Sequence, residues 1–582
     1  MRQYMQLQIG TSDFGEAKIK NLTFVDKTLF IKEVLDNGGI KVSLITRPRR
    51  FGKTFNLSTL QHFLAAEVNG VLTQGLFTGL NIATVDNGSY MAQQGKFPVI
   101  SVTFKDAKSK TFPMMLSQLQ DQMRAVFRNY QYLQDSAKLT LADKELLSSY
   151  FKQPERLMSD LQTSLVFLCE LLYKHCGVKP WLLIDEYDTP IQSGYLNKYY
   201  NEITDLMRGM LGAALKDNIY LERAVLTGIL RVAKESIFSG LNNLCVYSIL
   251  QPQYNKHFGF TEAEVHNLLQ LAGLINKEAE VKQWYNGYIF GGIVVYNPWS
   301  IVNYIYQQGS LQAYWVNTSD DKLIRDILLD SDAQLKQQVV SLLKGETVIR
   351  EIDENMVFGN LKTNELAVWS LLLMSGYLKV TSFIINERGE KICHLAIPNQ
   401  ELQTLYRKMI ESWLSNNDDS GSWFRHFLGS LLNGDVESFR QDFGQILVTT
   451  VSAHDAASMP ENFYHGFMLG LTASLRPAEY EVKSNKESGF GRYDLAILPK
   501  DLTKYAIIFE FKSVPPAKIA QDKSMALLEQ SAQTALVQIA QKQYLTEVRQ
   551  RGYKNIIQIG LAFTNRNFSL AAIGGTSYSY ED

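Results

Sequence analysis

A run near the N-terminus, Arg47-Pro48-Arg49-Arg50-Phe51-Gly52-Lys53-Thr54, ends in the Gly-Lys-Thr triplet of phosphate-binding loops. In such loops, backbone N–H groups at a helix N-terminus bind phosphate, the lysine neutralises the β- and γ-oxygens, and the hydroxyl ligates Mg²⁺. Lys53 and Thr54 are therefore expected to bind ATP and Mg²⁺, together with Arg47, Arg50 and Gly52. Because Arg47 stands where the usual G-x-x-x-x-G-K-[ST] pattern has its first glycine, the alternative is a surface turn with a solvated lysine.

A second candidate group follows the apolar run Trp181-Leu182-Leu183-Ile184. Such a run is typical of a central parallel strand, whose carboxyl end opens onto the ligand. Asp185 is expected to hold Mg²⁺, usually through water, and Glu186 to orient or deprotonate the attacking water. The alternative is a core strand that exits into an acidic turn.

A third apolar run, Arg223 to Gly228, carries Thr227 near its end and is followed by Arg231. Some ATPases insert a strand between the phosphate-loop strand and the acid-bearing strand, and a polar residue on it senses the γ-phosphate. Thr227 fits that role, and Arg231 could contact phosphate charge. Either residue could equally be a strand cap or a solvated helix charge.

A separate charged group lies near the C-terminus, where Asp494 heads one apolar run and the next run, residues 505–511, contains Glu510 and leads to Lys512. The short turn between them predicts a β-hairpin. Residues alternate faces along a strand, so Glu510 and Lys512 point the same way. Asp494 and Glu510 can then share a Mg²⁺, with Lys512 holding and activating a metal-bound water, as phosphodiester hydrolysis requires. The alternative is a surface hairpin with cross-strand ion pairs, which the apolar second strand disfavours.

The elements that must position these residues alternate between apolar runs and helical patterns up to about residue 250. Residues 42–45 and 97–104 predict strands, and residues 112–176 a long helical region. This alternation implies a parallel sheet with helices on both faces. From about 255 to 455, helices alternate with aromatic residues, which we interpret as packing between a lid and the ATPase core rather than base stacking. A helical pattern covers residues 532–544.

Bulk properties set the number and class of the domains. The chain has 582 residues, 46% hydrophobic and 20% charged, with a net charge of −1, and at about 100–200 residues per domain we expect three or four units. The near-neutral charge excludes a global basic field, so nucleic-acid binding would depend on a local patch such as the one formed by Arg47, Arg49, Arg50 and Lys53. The four cysteines are scattered, no signal peptide or membrane-length apolar run is visible, and a reducing cytoplasm fits best.

Many ordered motifs bear on the family of the chain. They are Phe-Val-Asp-Lys at 24–27, the loop at 47–54, Leu-Ile-Asp-Glu-Tyr-Asp at 183–188, Leu-Thr-Gly-Ile-Leu-Arg at 226–231, Ser-Ile-Phe-Ser-Gly-Leu-Asn-Asn-Leu at 236–244, Tyr-Asn-Gly-Tyr at 285–288, Asn-Phe-Tyr-His-Gly-Phe at 462–467, Glu-Ser-Gly-Phe-Gly-Arg-Tyr-Asp at 487–494 and Glu-Phe-Lys at 510–512. Over nearly its whole length the chain thus resembles the bacterial AAA-ATPase-like proteins that carry a C-terminal nuclease-like domain of the PD-(D/E)XK superfamily. In this family, arginine at the position of Arg47 is usual.

The resemblance implies ATP and Mg²⁺ at Lys53, Thr54, Asp185 and Glu186. It also implies a nuclease centre at Asp494, Glu510 and Lys512, with Gln538 as an added helix residue. Glu461 and His465 lie on the helix that usually precedes these strands and sometimes carries an acidic ligand. Tyr493 replaces the proline that names the superfamily, which is a common substitution.

Together, the motifs and the resemblance predict an α/β chain in three parts. These are an AAA-like P-loop ATPase domain at 1–250, a mainly helical lid or linker region at 251–455, and a restriction-endonuclease-like α/β domain at 456–582. The predicted function is ATP-regulated, Mg²⁺-dependent hydrolysis of nucleic acid, with DNA as the substrate and no membrane partner. The alternative is an ATP-driven switch whose nuclease-like domain only binds nucleic acid or a protein. A homo-oligomer would be required if Arg47, Arg49 or Arg231 served a neighbouring subunit as an arginine finger.

Overall fold

The computed structural model describes residues 6–152, 158–231, 243–315, 322–330, 333–343, 345–355, 358–361, 364–414, 422–450, 468, 472, 475, 479–488, 491–514, 524–541, 545–564 and 567–575. The chain divides into two compact units, the first formed by Met1–Ile324 and Ile349–Leu402 and the second by Arg325–Val348 and Gln403–Asp582. Within the ranges given above, every helix is too short or too polar to cross a lipid bilayer.

The strands are β1 Val42–Thr46, β2 Glu67–Val68, β3 Val71–Leu72, β4 Val99–Thr103, β5 Trp181–Asp185, β6 Arg223–Gly228, β7 Leu244–Tyr247, β8 Phe260–Thr261, β9 Tyr288–Phe290, β10 Ile293–Tyr296, β11 Val348–Glu351, β12 Lys379–Ile385, β13 Lys391–Ala396, β14 Tyr480–Ser488, β15 Gly491–Pro499, β16 Ala506–Ser513, β17 Ile556–Thr564 and β18 Asn567–Ile573.

The α-helices are α1 Phe14–Ile19, α2 Leu29–Asp36, α3 Lys53–Leu64, α4 Asn81–Thr84, α5 Phe112–Arg128, α6 Leu141–Lys152, α7 Met158–Cys176, α8 Thr189–Leu196, α9 Tyr200–Leu215, α10 Glu262–Leu271, α11 Glu278–Tyr285, α12 Pro298–Tyr306, α13 Lys322–Asp330, α14 Ala333–Leu343, α15 Glu365–Met374, α16 Gln400–Leu414, α17 Ser422–Leu432, α18 Val436–Thr450, α19 Ser524–Gln541 and α20 Leu545–Gln550.

A five-stranded sheet with the order β4-β5-β6-β1-β7 forms the centre of the first unit. All its pairings are parallel, and β6 lies between the phosphate-loop strand β1 and the acid-bearing strand β5. Every residue of β1 and of β5 is buried, as expected for strands covered by helices on both faces. The predicted parallel sheet with an inserted strand is therefore confirmed, and the ends of β1, β5 and β6 meet at one edge.

Residues 258–315 and 364–402 of the same unit, called the lid below, combine helices with two small antiparallel sheets. Helix α10 begins with a capping box, in which Thr261 accepts the N–H of Glu264 and the Glu264 carboxylate accepts the N–H of Thr261. The lid buries many aromatic rings, including Tyr285, Trp315 and Trp369. Their burial favours the packing interpretation over base stacking.

The second unit contains a mixed five-stranded sheet with the order β14-β15-β16-β17-β18. Strands β15 and β16 form the predicted antiparallel hairpin, with Leu495 opposite Phe509 and Ile497 opposite Ile507. Strand β17 then joins β16 in parallel, so the connection through α19 crosses one face of the sheet. Of the helix predicted over residues 532–544, residues 532–541 lie in the observed helix Ser524–Gln541, and residues 542–544 lie outside the described residues.

Helix α19 packs so closely on β17 that Gly560 is the residue that fits between them. A Cβ at Gly560 would overlap the Ala532 carbonyl and lie 2.7 Å from the Leu536 nitrogen. We expect Gly560→Ala to destabilise the second unit by about 1–3 kcal/mol, the usual cost of overpacking. In calorimetry of the full chain, one unfolding transition should move to lower temperature.

A matched control for this variant is Gly429→Ala in the middle of α17, where an added Cβ meets nothing within 4 Å. Alanine has the higher helix propensity, so this variant should be neutral or stabilising. Equal unfolding midpoints for the two variants would contradict the close packing of α19 on β17.

Candidate functional site

The phosphate-loop candidate connects β1 to α3, and Gly52 is the N-cap residue of α3. Gly52 has a φ of +85°, a left-handed conformation in which a side chain would be strained. The next residue, Lys53, is only 4% exposed, and its Nζ donates to the carbonyls of Arg47 and Pro48, at 3.0 Å each. Burial lowers the Lys53 pKa, although nearby carboxylates oppose this shift. Phosphate oxygens next to Lys53 would therefore stabilise its charged form.

Three of the predicted residues, Asp185, Thr54 and Thr227, are in contact at the sheet edge. The Asp185 carboxylate accepts a hydrogen bond from the Thr54 hydroxyl at 2.6 Å and another from the Thr227 hydroxyl at 2.6 Å. Asp185 is 5% exposed, and its burial raises the carboxyl pKa, against the lowering effect of the two hydroxyl donors. A hydroxyl and a carboxylate at a phosphate loop are the donor set that P-loop ATPases use for Mg²⁺, so these residues fit that ion.

Glu186 follows Asp185 in a left-handed backbone conformation, with a φ of +50°. Non-glycine residues rarely adopt this conformation, and it recurs at functional sites. The Glu186 carboxylate accepts a hydrogen bond from the Thr189 hydroxyl at 3.3 Å. Glu186 is half-buried, whereas Asp185 is buried, so the two adjacent acids occupy different environments.

The side chain of Arg47 is fully buried, although the sequence places it among the nucleotide-binding candidates. Its guanidinium donates to the carbonyls of Thr46, Tyr247 and Gln253, at distances of 2.8–3.1 Å. Burial lowers the pKa of Arg47 to about 9. The contacts attach the loop to the end of β7, and they favour a structural role over a phosphate contact or an arginine finger.

The other arginines of the loop region lie closer to the surface. The Arg50 guanidinium lies over the Trp299 ring, with its carbon 4.0 Å from the ring centroid, and Arg49 donates to the Gln192 side chain at 3.2 Å. Arg231 is half-buried and lines a cavity of about 180 Å³ together with Thr46.

The lid covers the loop residues Pro48 to Phe51. Gly376 approaches Pro48 so closely that a Cβ on the glycine would lie 2.9 Å from the Pro48 Cβ, and the Trp315 indole donates to the Arg49 carbonyl at 3.1 Å. The Arg50 guanidinium stacks on the Trp299 ring. The Phe51 ring contacts the rings of Tyr288 and Phe290, with centroid distances of 4.9 and 5.0 Å. Each of these loop residues therefore has a lid residue as a neighbour.

Asp188 is a residue that the sequence analysis did not select. It is 1% exposed, and its Oδ2 accepts hydrogen bonds from the N–H groups of Ile229 and Leu230 and from the Gln192 amide, at 3.0–3.1 Å. Burial raises the pKa of the Asp188 carboxyl. Asp188 thereby fixes the chain just after Thr227. The one sequence feature that could have drawn attention to Asp188 is its position three residues after Asp185.

In the second unit, Glu510 is the centre of a polar cluster at the end of β16. It is 3% exposed, and its Oε1 accepts hydrogen bonds from the Gln538 amide of α19 and from Lys512 Nζ, the latter at 3.5 Å. A carboxylate this deeply buried requires such donors, since burying a charge is otherwise costly. The predicted same-face placement of Glu510 and Lys512 agrees with this contact.

Asp494 reaches the same cluster from the neighbouring strand β15. The paired register ends with Leu495 opposite Phe509, and Asp494 Oδ2 instead accepts the N–H of Phe511 at 2.7 Å. The structure thus brings Asp494, Glu510 and Lys512 to one sheet end. Tyr493, at the position of the family proline, is buried in the core of this unit.

The carboxylates of Asp494 and Glu510 fit Mg²⁺, which commonly takes one or two carboxylates and keeps several waters. In the part of the chain that the structure describes, no cluster of three or more His, Cys, Asp or Glu residues suits a metal. Glu461 and His465 lie outside the described residues.

The comparisons with known proteins agree with this architecture. Residues 8–238 match the family described as predicted AAA-ATPase, and residues 459–571 match the PD-(D/E)XK nuclease superfamily. The chain therefore combines an AAA-ATPase-like domain with a C-terminal domain of the PD-(D/E)XK nuclease superfamily. It is also similar to an uncharacterized protein in the vnfD 5′ region of Azotobacter chroococcum mcd 1, with 24% identity over 97% of this chain and 98% of the relative.

Proposed function

We propose that this protein binds and hydrolyses ATP and that its nucleotide state regulates Mg²⁺-dependent cleavage of phosphodiester bonds in DNA. The observation that carries the proposal is the polar cluster of the second unit, in which Asp494, Glu510, Lys512 and Gln538 come from two strands and a helix. A module that only binds nucleic acid has no need of two carboxylates and a lysine at a buried strand end.

In the nuclease centre, Asp494 and Glu510 would hold the ion. Bound Mg²⁺ supplies a Lewis acid that polarises the phosphodiester and lowers the pKa of water. Lys512 would orient the attacking water and stabilise negative charge that develops on the phosphate. Gln538 would keep the Glu510 carboxylate in position through its amide.

In the ATPase centre, Lys53 would neutralise the β- and γ-phosphates, and Thr54 and Asp185 would hold Mg²⁺. Glu186 would orient the attacking water, and Thr227 would sense the γ-phosphate through its hydrogen bond to Asp185. Ile229 and Leu230 follow Thr227 and Gly228 along the chain, and their N–H groups donate to Asp188. A movement of Thr227 on loss of the γ-phosphate would therefore also move Ile229 and Leu230 relative to Asp188.

A second candidate function is an ATP-driven switch whose nuclease-like domain recognises nucleic acid or a protein without cutting it. The net charge of −1 favours this candidate, because non-specific DNA binding usually relies on a basic surface. The two functions share the ATPase centre and differ only in the chemistry of the second unit.

The experiment that separates them offers linear, circular and single-stranded DNA, and RNA, to the purified chain with Mg²⁺ or Mn²⁺, with and without ATP. We expect cleavage by the wild type, none by Lys512→Ala, and cleavage that no longer responds to ATP in Lys53→Ala. The matched control is Lys554→Ala, which removes an exposed lysine near the opposite end of β16 and β17. Cleavage of no substrate, with ATP turnover intact, would favour the switch.

Two further expectations accompany the proposal. All four cysteines are free thiols, which supports a reducing cytoplasm as the place of action. Arg49 or Arg231 acting on a neighbouring subunit would require a ring or a dimer, and a strict monomer in ultracentrifugation with and without ATP would contradict that role.

A further inference from the structure

A cavity of about 250 Å³ opens beside the phosphate loop of the first unit. It begins at the ends of β5 and β6, where Thr189, Ile229 and Leu230 line it, and Arg49 of the loop forms part of its wall. Its size is close to the lower limit of small-molecule sites, which span about 300–1,000 Å³. None of the roles assigned above to Lys53, Thr54, Asp185 or Glu186 uses this space.

The charged residues of the cavity wall are all cationic. Arg49 contributes one positive charge, and Lys108 and Lys110 contribute two more from a single loop. No carboxylate is found among the described residues that line the cavity. The local field therefore favours an anion, although the net charge of the whole chain is −1.

The opposite wall is apolar and aromatic. Trp315 and Tyr377 meet edge to face, with ring centroids 5.3 Å apart, and Phe358, Leu230 and Leu371 complete this wall. All five residues are less than 5% exposed. Such a surface binds a flat or apolar group. A ligand that interacts with both the cationic wall and the aromatic wall would therefore carry a negative charge at one end and a ring at the other.

The loop that bears the two lysines is held in place by hydrogen bonds. Ser109, between them, donates its N–H to the Ser193 hydroxyl at 3.1 Å, and its carbonyl accepts the Tyr199 hydroxyl at 2.6 Å. The Ser109 hydroxyl also donates to Gln118 at 2.8 Å. The backbone of this segment is thus preorganised, which lowers the entropic cost of binding.

The side chain of Gln192 connects the cavity with the ATPase centre. Its oxygen accepts a hydrogen bond from Arg49 at 3.2 Å, and its amide donates to Asp188 at 3.0 Å. Asp188 in turn binds the N–H groups of Ile229 and Leu230, which line the cavity themselves. A ligand in the cavity would therefore contact the same hydrogen-bonded group that holds the chain after Thr227.

We propose that this cavity is a binding site for a small organic anion with an aromatic or apolar body, separate from the phosphate and Mg²⁺ site proposed at Lys53, Thr54 and Asp185. The anion lies toward Arg49, Lys108 and Lys110, and its ring lies against Trp315 and Tyr377. A phosphate monoester and a carboxylate share this chemistry, and the choice of probes distinguishes them.

Isothermal titration calorimetry of the full chain with phenyl phosphate and with benzoate tests the site. We expect at least one of them to bind about tenfold more tightly than both inorganic phosphate and phenol, which each satisfy one wall only. The probes contain no nucleotide, so the result can be interpreted whether or not the protein proves to be an ATPase. Absence of binding by both aromatic anions would overturn the proposal.

Two variants locate the bound probe. Lys108→Gln with Lys110→Gln should weaken binding about tenfold, the combined effect of two exposed charge interactions, and Asn197→Trp should block the cavity with both lysines present. The matched control, Lys96→Gln with Lys105→Gln, removes two exposed charges that do not line the cavity. Equal affinities in the paired-lysine variant and its control would overturn the proposal.

Discussion

Glu510→Gln is expected to abolish DNA cleavage while leaving ATP hydrolysis intact. The amide is nearly isosteric with the carboxylate, and its oxygen can still accept the hydrogen bonds of Lys512 and Gln538, but it removes the negative charge and one oxygen ligand from the proposed Mg²⁺ site. Metal catalysis supplies several kcal/mol of transition-state stabilisation, so the rate should fall by about 10³-fold or more. Timed digestion of linear DNA under single-turnover conditions measures this loss.

Stability separates this effect from misfolding. Glu510 is buried, but its partner Lys512 is 32% exposed, so neutralising the carboxylate removes the cost of burying its charge and leaves the lysine in contact with solvent rather than buried without a partner. The unfolding midpoint of Glu510→Gln should therefore not fall. Glu529→Gln, at an exposed position of α19, is the matched control and should cleave like the wild type. A Glu510→Gln protein that cleaves DNA at the wild-type rate would rule out this carboxylate as a metal ligand.

Asp185→Asn is expected to have the second large effect, a loss of ATP turnover by about 10²-fold or more. The carboxylate accepts hydrogen bonds from both Thr54 and Thr227, and an asparagine has only one oxygen to offer. The hydroxyl of either Thr54 or Thr227 must then rotate to accept a hydrogen bond from the new amide. The substitution thereby removes the charged carboxylate and one oxygen that were available to Mg²⁺. Phosphate release at saturating ATP measures the turnover.

ATP binding should survive this substitution better than hydrolysis, because Lys53 and the loop N–H groups remain. The control Asp205→Asn changes an exposed acid on α9, which pairs with Arg208, and should leave turnover unchanged. If Asp185→Asn hydrolysed ATP normally, a role for this residue in holding Mg²⁺ would be excluded. If its DNA cleavage still responded to ATP, binding alone would account for the regulation.

Local patterns in the sequence predicted most of the elements that carry the candidate chemistry. Apolar runs that end in polar residues predicted β1, β5 and β6, because a strand buried on both faces is composed mainly of apolar residues. The alternation of residues in the C-terminal hairpin placed Glu510 and Lys512 on one face, as the structure shows. The family resemblance, not the spacing, singled out Gln538.

The parts that could not be predicted depend on contacts between distant residues. Arg47 was expected to help bind ATP because it belongs to the phosphate-loop run, and no local pattern indicated that its guanidinium donates to the carbonyls of Tyr247 and Gln253, some two hundred positions away. In the sequence, Asp188 has no feature that distinguishes it from an ordinary acidic residue in a turn. Its role depends on the N–H groups of Ile229 and Leu230, which donate to its carboxylate from about forty positions further along the chain. The cavity beside the loop requires the lid to be placed, and no local pattern encodes that placement.

The cover that the lid provides over the phosphate loop limits how this protein can be recombined with its relatives. We expect substitutions at Pro48 to require compensating substitutions at Gly376, and substitutions at Arg50 to require them at Trp299, because each loop residue packs directly against its neighbour in the lid. A chimaera joined at residue 250 would combine one parent's loop with another parent's lid, and such mismatched surfaces pack poorly. The loop and the lid must therefore come from the same parent, and a crossover that keeps them together lies beyond residue 402.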